Sequence, residues 1–214
     1  IERDIKRIET LNCLDKLHLR KVKAEIVWDD ARELKRGRLT AQGEIDKSNA
    51  EPIESESIGL VITSPPYINA QKYIRSTKFE LFWLGLANQH DILHLDSKFV
   101  GTERVFWAEY KDVHLVGIES ADMIIQCIYE RDKERAGIVS RYFLDMRKVM
   151  KEIHRVLKKG GRFVLVVGDN TIRGLRVENH RLLTDIATQD IGFEVETIFV
   201  DKIRSRGMIT KRHE

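Results

Sequence analysis

Apolar positions along this chain recur at two spacings, and together they predict helices alternating with short strands. Residues 2–19 place Ile5, Ile8, Leu11, Leu14 and Leu17 near helical spacing and predict a helix. Residues 24–28, Ala-Glu-Ile-Val-Trp, predict a short strand that ends in Asp29-Asp30. Residues 36–57 are polar and rich in Gly, Ser, Asn and Glu, which predicts a loop. Residues 58–62, Ile-Gly-Leu-Val-Ile, form a continuous apolar run, the pattern of a strand buried on both faces. Helices are predicted over residues 77–85 and 121–135. The most regular covers 140–159, where Tyr142, Phe143, Met146, Val149, Met150, Ile153, Val156 and Leu157 repeat at three and four. Lys158 and Lys159 suit its C-terminal dipole and Gly160 its C-cap. Residues 162–167 then predict a second buried strand, closed by Gly168-Asp169-Asn170. A helix over 178–189 and a half-exposed strand over 193–200 follow, the latter because Glu194 and Glu196 alternate with apolar neighbours.

Helices interleaved with apolar strands imply an α/β domain with a mostly parallel sheet. In such sheets ligands bind beyond the carboxyl ends of the strands. Asp29-Asp30, residues 63–67 and residues 168–170 all fall at such ends, so they are expected to converge on one crevice. A length of 214 residues suits a single domain with an insertion, here residues 68–140. The net charge of +3 permits a nucleic-acid partner without arguing for one. Cys13 and Cys127 stand far apart without metal-ligand spacing, which predicts two buried thiols in a reducing, cytoplasmic compartment. No apolar run approaches the roughly 18 residues of a membrane span.

The chemistry lies in Thr63-Ser64-Pro65-Pro66-Tyr67, directly after the first buried run. Two prolines fix two φ angles and remove two N–H donors. The residue before each proline is held extended. The product is a stiff loop whose carbonyls lack local donors and are available to an outside amino group. The Ser64 oxygen is a further acceptor, and Tyr67 offers a flat ring for a planar base. Such a site suits methyl transfer to an aromatic amine, because acceptors on both N–H bonds draw the nitrogen lone pair out of conjugation. Positioning and electrostatics carry a reaction of this kind, without metal or covalent intermediate. A base in a duplex must first leave the stack.

This pentapeptide resembles motif IV of the DNA amino-methyltransferases, which modify N4 of cytosine or N6 of adenine. The opening Ser64 is more similar to the cytosine-N4 members. The stretch from Ile68 to Arg75, with Lys78-Phe79-Glu80-Leu81-Phe82-Trp83-Leu84-Gly85, is similar to prokaryotic DNA methylases of the N4/N6 type. Lys158-Lys159-Gly160-Gly161 resembles the family's junction into its fifth strand. The resemblance covers most of residues 22–200. It implies a Rossmann-like fold that uses S-adenosylmethionine, a DNA substrate with the target base flipped out, and a catalytic loop of Ser64, Pro65, Pro66 and Tyr67. It further implies that Asp30 receives the cofactor's adenine amino group, where it also suits an N-cap, and that Thr63 and Ser64 line the methionine end.

One element of the family pattern is missing: no glycine-rich cofactor loop stands in these residues. The expectation is a partial domain whose first strands and cofactor loop lie upstream of Ile1, with a loop from another polypeptide, or loss of cofactor binding, as alternatives. Lys72, Arg75, Lys78 and Lys98 in the insertion, and Lys202, Arg204, Arg206, Lys211 and Arg212 in the tail, are candidate phosphate contacts. Asp169 and Asn170 suit an ordinary turn or a place facing the crevice. An RNA base methyltransferase and a non-catalytic nucleic-acid-binding subunit of the same fold are the competing readings.

Overall fold

A computed structural model describes residues 25, 27–28, 30–40, 45–68, 73–85, 87–102 and 113–201. The expected helix over 2–19, Asp29, Lys72 and the basic tail lie outside these residues. The chain divides into two compact units, residues 1–30 with 34–53, and residues 31–33 with 54–214.

In the first unit, β1 (Lys35–Leu39) pairs antiparallel with β2 (Ile45–Pro52), with Lys35 opposite Pro52 and Leu39 opposite Ile45. The register shifts between Arg36 and Arg38, and there the Gly37 N–H donates to the Val27 carbonyl at 2.9 Å. The loop expected over 36–57 is therefore a hairpin. Its strands expose most side chains, so they show no apolar alternation. The strand expected over 24–28 is not formed at Val27 and Trp28. The Trp28 ring instead lies beneath the Lys35 and Lys47 ammonium groups, 5.8 and 5.3 Å from its centroid.

The second unit is mixed α/β. Strand β3 (Ile58–Thr63) lies parallel to β4 (Leu157–Leu165). Parallel neighbours need a crossover, which here contains α1 (Tyr73–Trp83), α2 (Gln89–Lys98), α3 (Glu119–Tyr129) and α4 (Lys133–Val156). The single helix expected over 121–135 is broken at Asp132, whose carboxylate accepts the Arg135 N–H at 3.0 Å and so caps a new helix. The α4 stripe, with Tyr142, Phe143, Met146 and Met150 fully buried, forms the centre of the main core. Its end is also tied to the sheet. The Arg155 and Val156 carbonyls, which no helical N–H can reach, accept from Glu56 and Ser57 at 3.0 and 2.9 Å, directly before β3.

Helix α4 ends at Val156, earlier than expected, and Lys158–Gly161 enter an irregular stretch of β4. Ile58 faces Leu157 but Leu60 faces Arg162, so the strand bulges between them. Val149, Ile153 and Leu157 pack there with Val61 and Phe163. Only that face of the pair is covered among the described residues. On the other, Leu60 and Ile62 are 52% and 65% exposed, so burial on both faces is not observed. Two apolar faces in sequence state what a strand can bury, not what covers it.

Beyond β4, Asn170–Ile172 (β5) and Leu175–Val177 (β6) form a small hairpin. Its turn residues Arg173 and Gly174 both have positive φ, 49° and 76°, which only glycine adopts freely. Arg173 is held there by Asp132, which accepts from its Nε at 2.6 Å, and by Arg131, which donates to its carbonyl at 2.8 Å. Helix α5 (Asn179–Ile186) continues into a π-helical turn over Ala187–Ile191. Arg147 fastens that turn to α4 through two hydrogen bonds to Asp190, 2.7 and 2.5 Å. The strand expected over 193–200 has no ladder partner among the described residues. Phe193 packs against Phe163 and His154, whereas Phe199 and Val200 are exposed. No helix among the described residues is long and apolar enough to cross a membrane.

Candidate functional site

Strand β3 delivers Thr63 to the sheet edge, and the loop 64–67 leaves from there. The Thr63 carbonyl is used by the sheet, accepting the Val166 N–H at 2.9 Å just past the last paired residue of β4. At the other end the fully buried Ile68 offers its carbonyl to Asn170 Nδ2. Between these two anchors, no hydrogen bond from the described residues reaches the carbonyls of Ser64, Pro65 or Pro66. Rigidity from the two prolines and fixation at both ends thus leave a short row of acceptors held in place.

The side chains divide by burial. Pro65 is buried, Pro66 and Tyr67 half-buried, and Ser64 exposed. The Ser64 hydroxyl and the Tyr67 hydroxyl lie 3.5 Å apart, at the outer limit of a hydrogen bond. Ser64 and Tyr67 therefore lie together on one side of the loop. The turn after α2 supports the opposite ends of the same residues. A Cβ added at Gly101 would lie 3.5 Å from the Tyr67 carbonyl oxygen and 3.6 Å from Pro66 Cβ. That turn is held in turn by Arg32, which donates to the Lys98 carbonyl at 3.0 Å and to the buried Asp145 at 3.1 Å.

Residues 168–170 follow the end of β4 and meet the loop through Asn170. Burial works to raise the Asp169 pKa, but hydrogen bonds from His180 and Arg176 outweigh it and hold the carboxyl below its ordinary value. His180 Nδ1 lies 2.7 Å and Arg176 3.3 Å from that carboxylate. Asn179, 1% exposed, donates from Nδ2 to the Gly168 carbonyl at 2.9 Å.

The structure thus brings Thr63, Ser64, Pro65, Pro66 and Tyr67 into one loop beside Asn170. Asp30 is half-buried and belongs to the hairpin unit. Among the phosphate candidates, Lys78 and Lys98 are exposed, with the Lys78 ammonium 5.4 Å from the centre of the Phe82 ring. Cys127, expected to be buried, is exposed. Asn170, expected at an ordinary turn or facing the crevice, holds the Ile68 carbonyl, and Asn179 is not singled out by the sequence. An asparagine is a usual turn residue, and nothing local signals a partner such as Ile68, 102 positions away.

Of the pair Gly160-Gly161, the first has a positive φ of 73° and open space around it, and the second is accounted for by packing. A Cβ at Gly161 would meet the Gly59 carbonyl oxygen of β3 at 3.2 Å, so this glycine permits close strand approach. No grouping of His, Cys, Asp and Glu fit to hold a metal occurs among the described residues.

Residues 58–213 match the N6/N4 methyltransferase family, described as DNA methylase. The Type II methyltransferase M.AvaI of Nostoc sp., like its namesake from Anabaena variabilis, is 30% identical over 165 residues, covering 69% of this chain and 33% of the relative. The Type II methyltransferase M.MvaI of Kocuria varians is 23% identical over 142 residues, 64% of this chain and 31% of that protein. The chain spans about a third of the length of the curated relatives it matches. No solved structure matches it.

Proposed function

Since this chain belongs to the DNA methylase family of the N6/N4 type, we propose that it carries the amine-binding half of a DNA methyltransferase active site. The reaction proposed is methyl transfer from S-adenosylmethionine to an exocyclic amino group, N4 of cytosine in preference to N6 of adenine. The observation that carries this reading is the row of acceptors at Ser64, Pro65 and Pro66, fixed at Thr63 and Ile68 and not drawn into the backbone ladder.

An aromatic amine is a poor nucleophile because its lone pair is delocalised into the ring. Two acceptors on its N–H bonds, drawn from the Ser64 hydroxyl and the loop carbonyls, turn that lone pair outward. The nitrogen can then take the methyl group as the sulfur–methyl bond of the donor breaks, which leaves a neutral thioether, and its surplus N–H proton passes to solvent. Tyr67, tethered towards Ser64, stacks on the flipped base and keeps its amino group over the loop. Fixed dipoles of this kind need no reorganisation when charge develops on the nitrogen. The preference for cytosine rests on Ser64 opening the loop. When bound, the donor supplies an electrophilic sulfonium methyl. In this reading Thr63 and Ser64 line its methionine end and Asp30 receives its adenine amino group.

The described residues fit the amine half of such a site better than the donor half, because Gly161 of β4 is occupied in packing against β3 and Gly160 supplies the positive φ of the bulge. The wider domain is proposed to be Rossmann-like, with β3 and β4 as neighbouring parallel strands of its sheet and residues 68–140 as an insertion. The likeness to relatives named as Type II methyltransferases supports a reading in which the modification is site-specific.

The test is to incubate the natural full-length protein with methyl-labelled S-adenosylmethionine and either DNA or RNA, then digest and identify the labelled nucleoside. N4-methylcytosine in DNA is the expected product. N6-methyladenine would overturn the base preference, and label confined to RNA would overturn the DNA assignment.

A further inference from the structure

The end of the loop is held by an unusual pair of amides. Asn170 Nδ2 donates to the carbonyl of Ile68, the residue that closes the Ser-Pro-Pro-Tyr turn. An amide can present its nitrogen or its oxygen, and the neighbouring group decides which. Asn179 Nδ2 lies 3.5 Å from Asn170 Oδ1, and donates to the Gly168 carbonyl at 2.9 Å. The oxygen side of Asn170 is therefore turned to Asn179, and its nitrogen side to Ile68. Asn179 is itself almost wholly buried, and its Oδ1 accepts no hydrogen bond among the described residues. A buried, half-satisfied amide is unfavourable compared with an apolar side chain of the same size. Its place at the first residue of α5 has a local explanation: no apolar residue there would donate to Gly168 and orient Asn170.

The whole 168–170 segment is bound in this way. Gly168 is held by Asn179, and Asp169 by His180 and Arg176. Asn170 then reaches across to Ile68, a link between elements 102 residues apart in sequence. Thr63 is already held by Val166, on the same strand that leads into this segment. Both ends of the acceptor loop therefore hang from the end of β4, one through the backbone and one through Asn170.

We propose that Asn170, oriented by the buried Asn179, is a positioning residue that sets the aim of the Ser64–Tyr67 acceptors. The proposal rests on the amine-binding reading above. Neither asparagine touches the reacting atoms; each acts through the carbonyl of Ile68 and the turn before it. Asn170→Asp has nearly the same shape but turns an anionic oxygen towards the Ile68 carbonyl, and Asn170→Ala removes the link.

Two measurements on the natural full-length protein test this. The first is amide hydrogen exchange in peptides spanning residues 63–68, which is independent of catalysis. Exchange there is expected to rise about tenfold or more in Asn170→Ala, with the peptides of α4 unchanged. The second is steady-state methylation. Both Asn170 variants are expected to lose roughly 10- to 100-fold in kcat, with KM for S-adenosylmethionine and for DNA within about threefold, because the loop is misaimed and not dismantled. Asn179→Ala is expected to reproduce the Asn170→Ala loss, and the double variant to be no worse than either alone. Unchanged exchange at 63–68 in Asn170→Ala would overturn the inference whatever the activity. So would a kcat loss matched by a general rise in exchange, which marks a merely structural role. An inactive wild-type protein would refute the methyltransferase reading, and the exchange comparison would still decide whether Asn170 holds the loop.

Discussion

Gly161→Ala is the substitution for which the structure gives the sharpest expectation. A Cβ at this position would lie 2.8 Å from the Lys158 carbonyl oxygen, 3.1 Å from Leu157 Cδ2 and 3.2 Å from the Gly59 carbonyl oxygen. Two of these neighbours are backbone atoms, on the bulge of β4 and on the facing strand β3, so neither yields by rotating a side chain. The third belongs to Leu157, which is packed with Val149 and Ile153. Relief requires β4 to move away from β3 at the bulge, an overpacking cost of about 1–3 kcal/mol. For a domain of this size that lowers Tm by roughly 3–10 °C. Gly59→Ala is the internal control. Its added Cβ meets nothing within 4 Å, and its φ is not positive. It is expected to be neutral or to stabilise by about 0.4–1 kcal/mol, through the unfolded chain. Urea unfolding followed by circular dichroism, with equal m-values required, measures both. If Gly161→Ala proves as stable as Gly59→Ala, the close approach of the two strands is not what this glycine serves. The reasoning from the bulge then fails.

Three other expectations follow from the same interactions. Tyr67→Ala removes the stacking ring and is expected to reduce turnover on DNA by roughly 5- to 150-fold, the scale of one base–aromatic stack. Tyr67→Phe, which loses only the 3.5 Å contact with Ser64, stays within about threefold; equal losses in both would refute the stacking role. Hydrogen bonds from Arg147, with help from Lys151, lower the Asp190 pKa to about 2 from an ordinary 3.8. A depressed carboxylate stabilises the fold above its unfolded pKa and loses that contribution as pH falls through the folded one. The stability gap between wild type and Asp190→Asn, on the order of 1–2 kcal/mol, should be constant above pH ~5 and shrink progressively from there to below pH ~2. A gap independent of pH across that range would contradict the pairing. Asp132→Ala removes the α4 cap and the partner of Arg173, and is expected to cost about 1–2 kcal/mol in urea unfolding. Asp132→Asn, which can still cap, should recover at least half of that, and no recovery would point away from capping.

Much of this protein was legible one segment at a time. The apolar stripe of α4, the runs that became β3 and β4, and the rigid loop after Thr63 each depend on residues a few positions apart. For a helix stripe or a proline pair, the physical cause is local: side chains at three and four share a face, and a pyrrolidine ring fixes its own φ. The break at Asp132 was readable in principle, since its carboxylate caps the N–H of a residue three positions on. It was masked by its neighbours Glu130, Arg131, Lys133, Glu134 and Arg135, all of them good helix formers.

What tertiary structure decided has a different origin. The β1–β2 hairpin has strands that are mostly exposed, and exposed ladders carry no hydrophobic period. Residues 193–200 alternate as a strand should, but without a neighbouring edge among the described residues their N–H and C=O groups form no ladder there. The outer face of β3 is apolar yet open among the described residues, because apolarity permits a covering layer and does not supply one. The site divides along the same line. Which atoms can accept hydrogen bonds from an amine was decided by Ser64, Pro65, Pro66 and Tyr67 themselves. How those atoms are aimed was decided by Val166, Asn170 and Asn179, which reach the loop only once β4 lies beside β3. Stiffness is a property of the covalent chain, whereas direction depends on partners about a hundred residues away that only the packed fold brings within hydrogen-bonding distance.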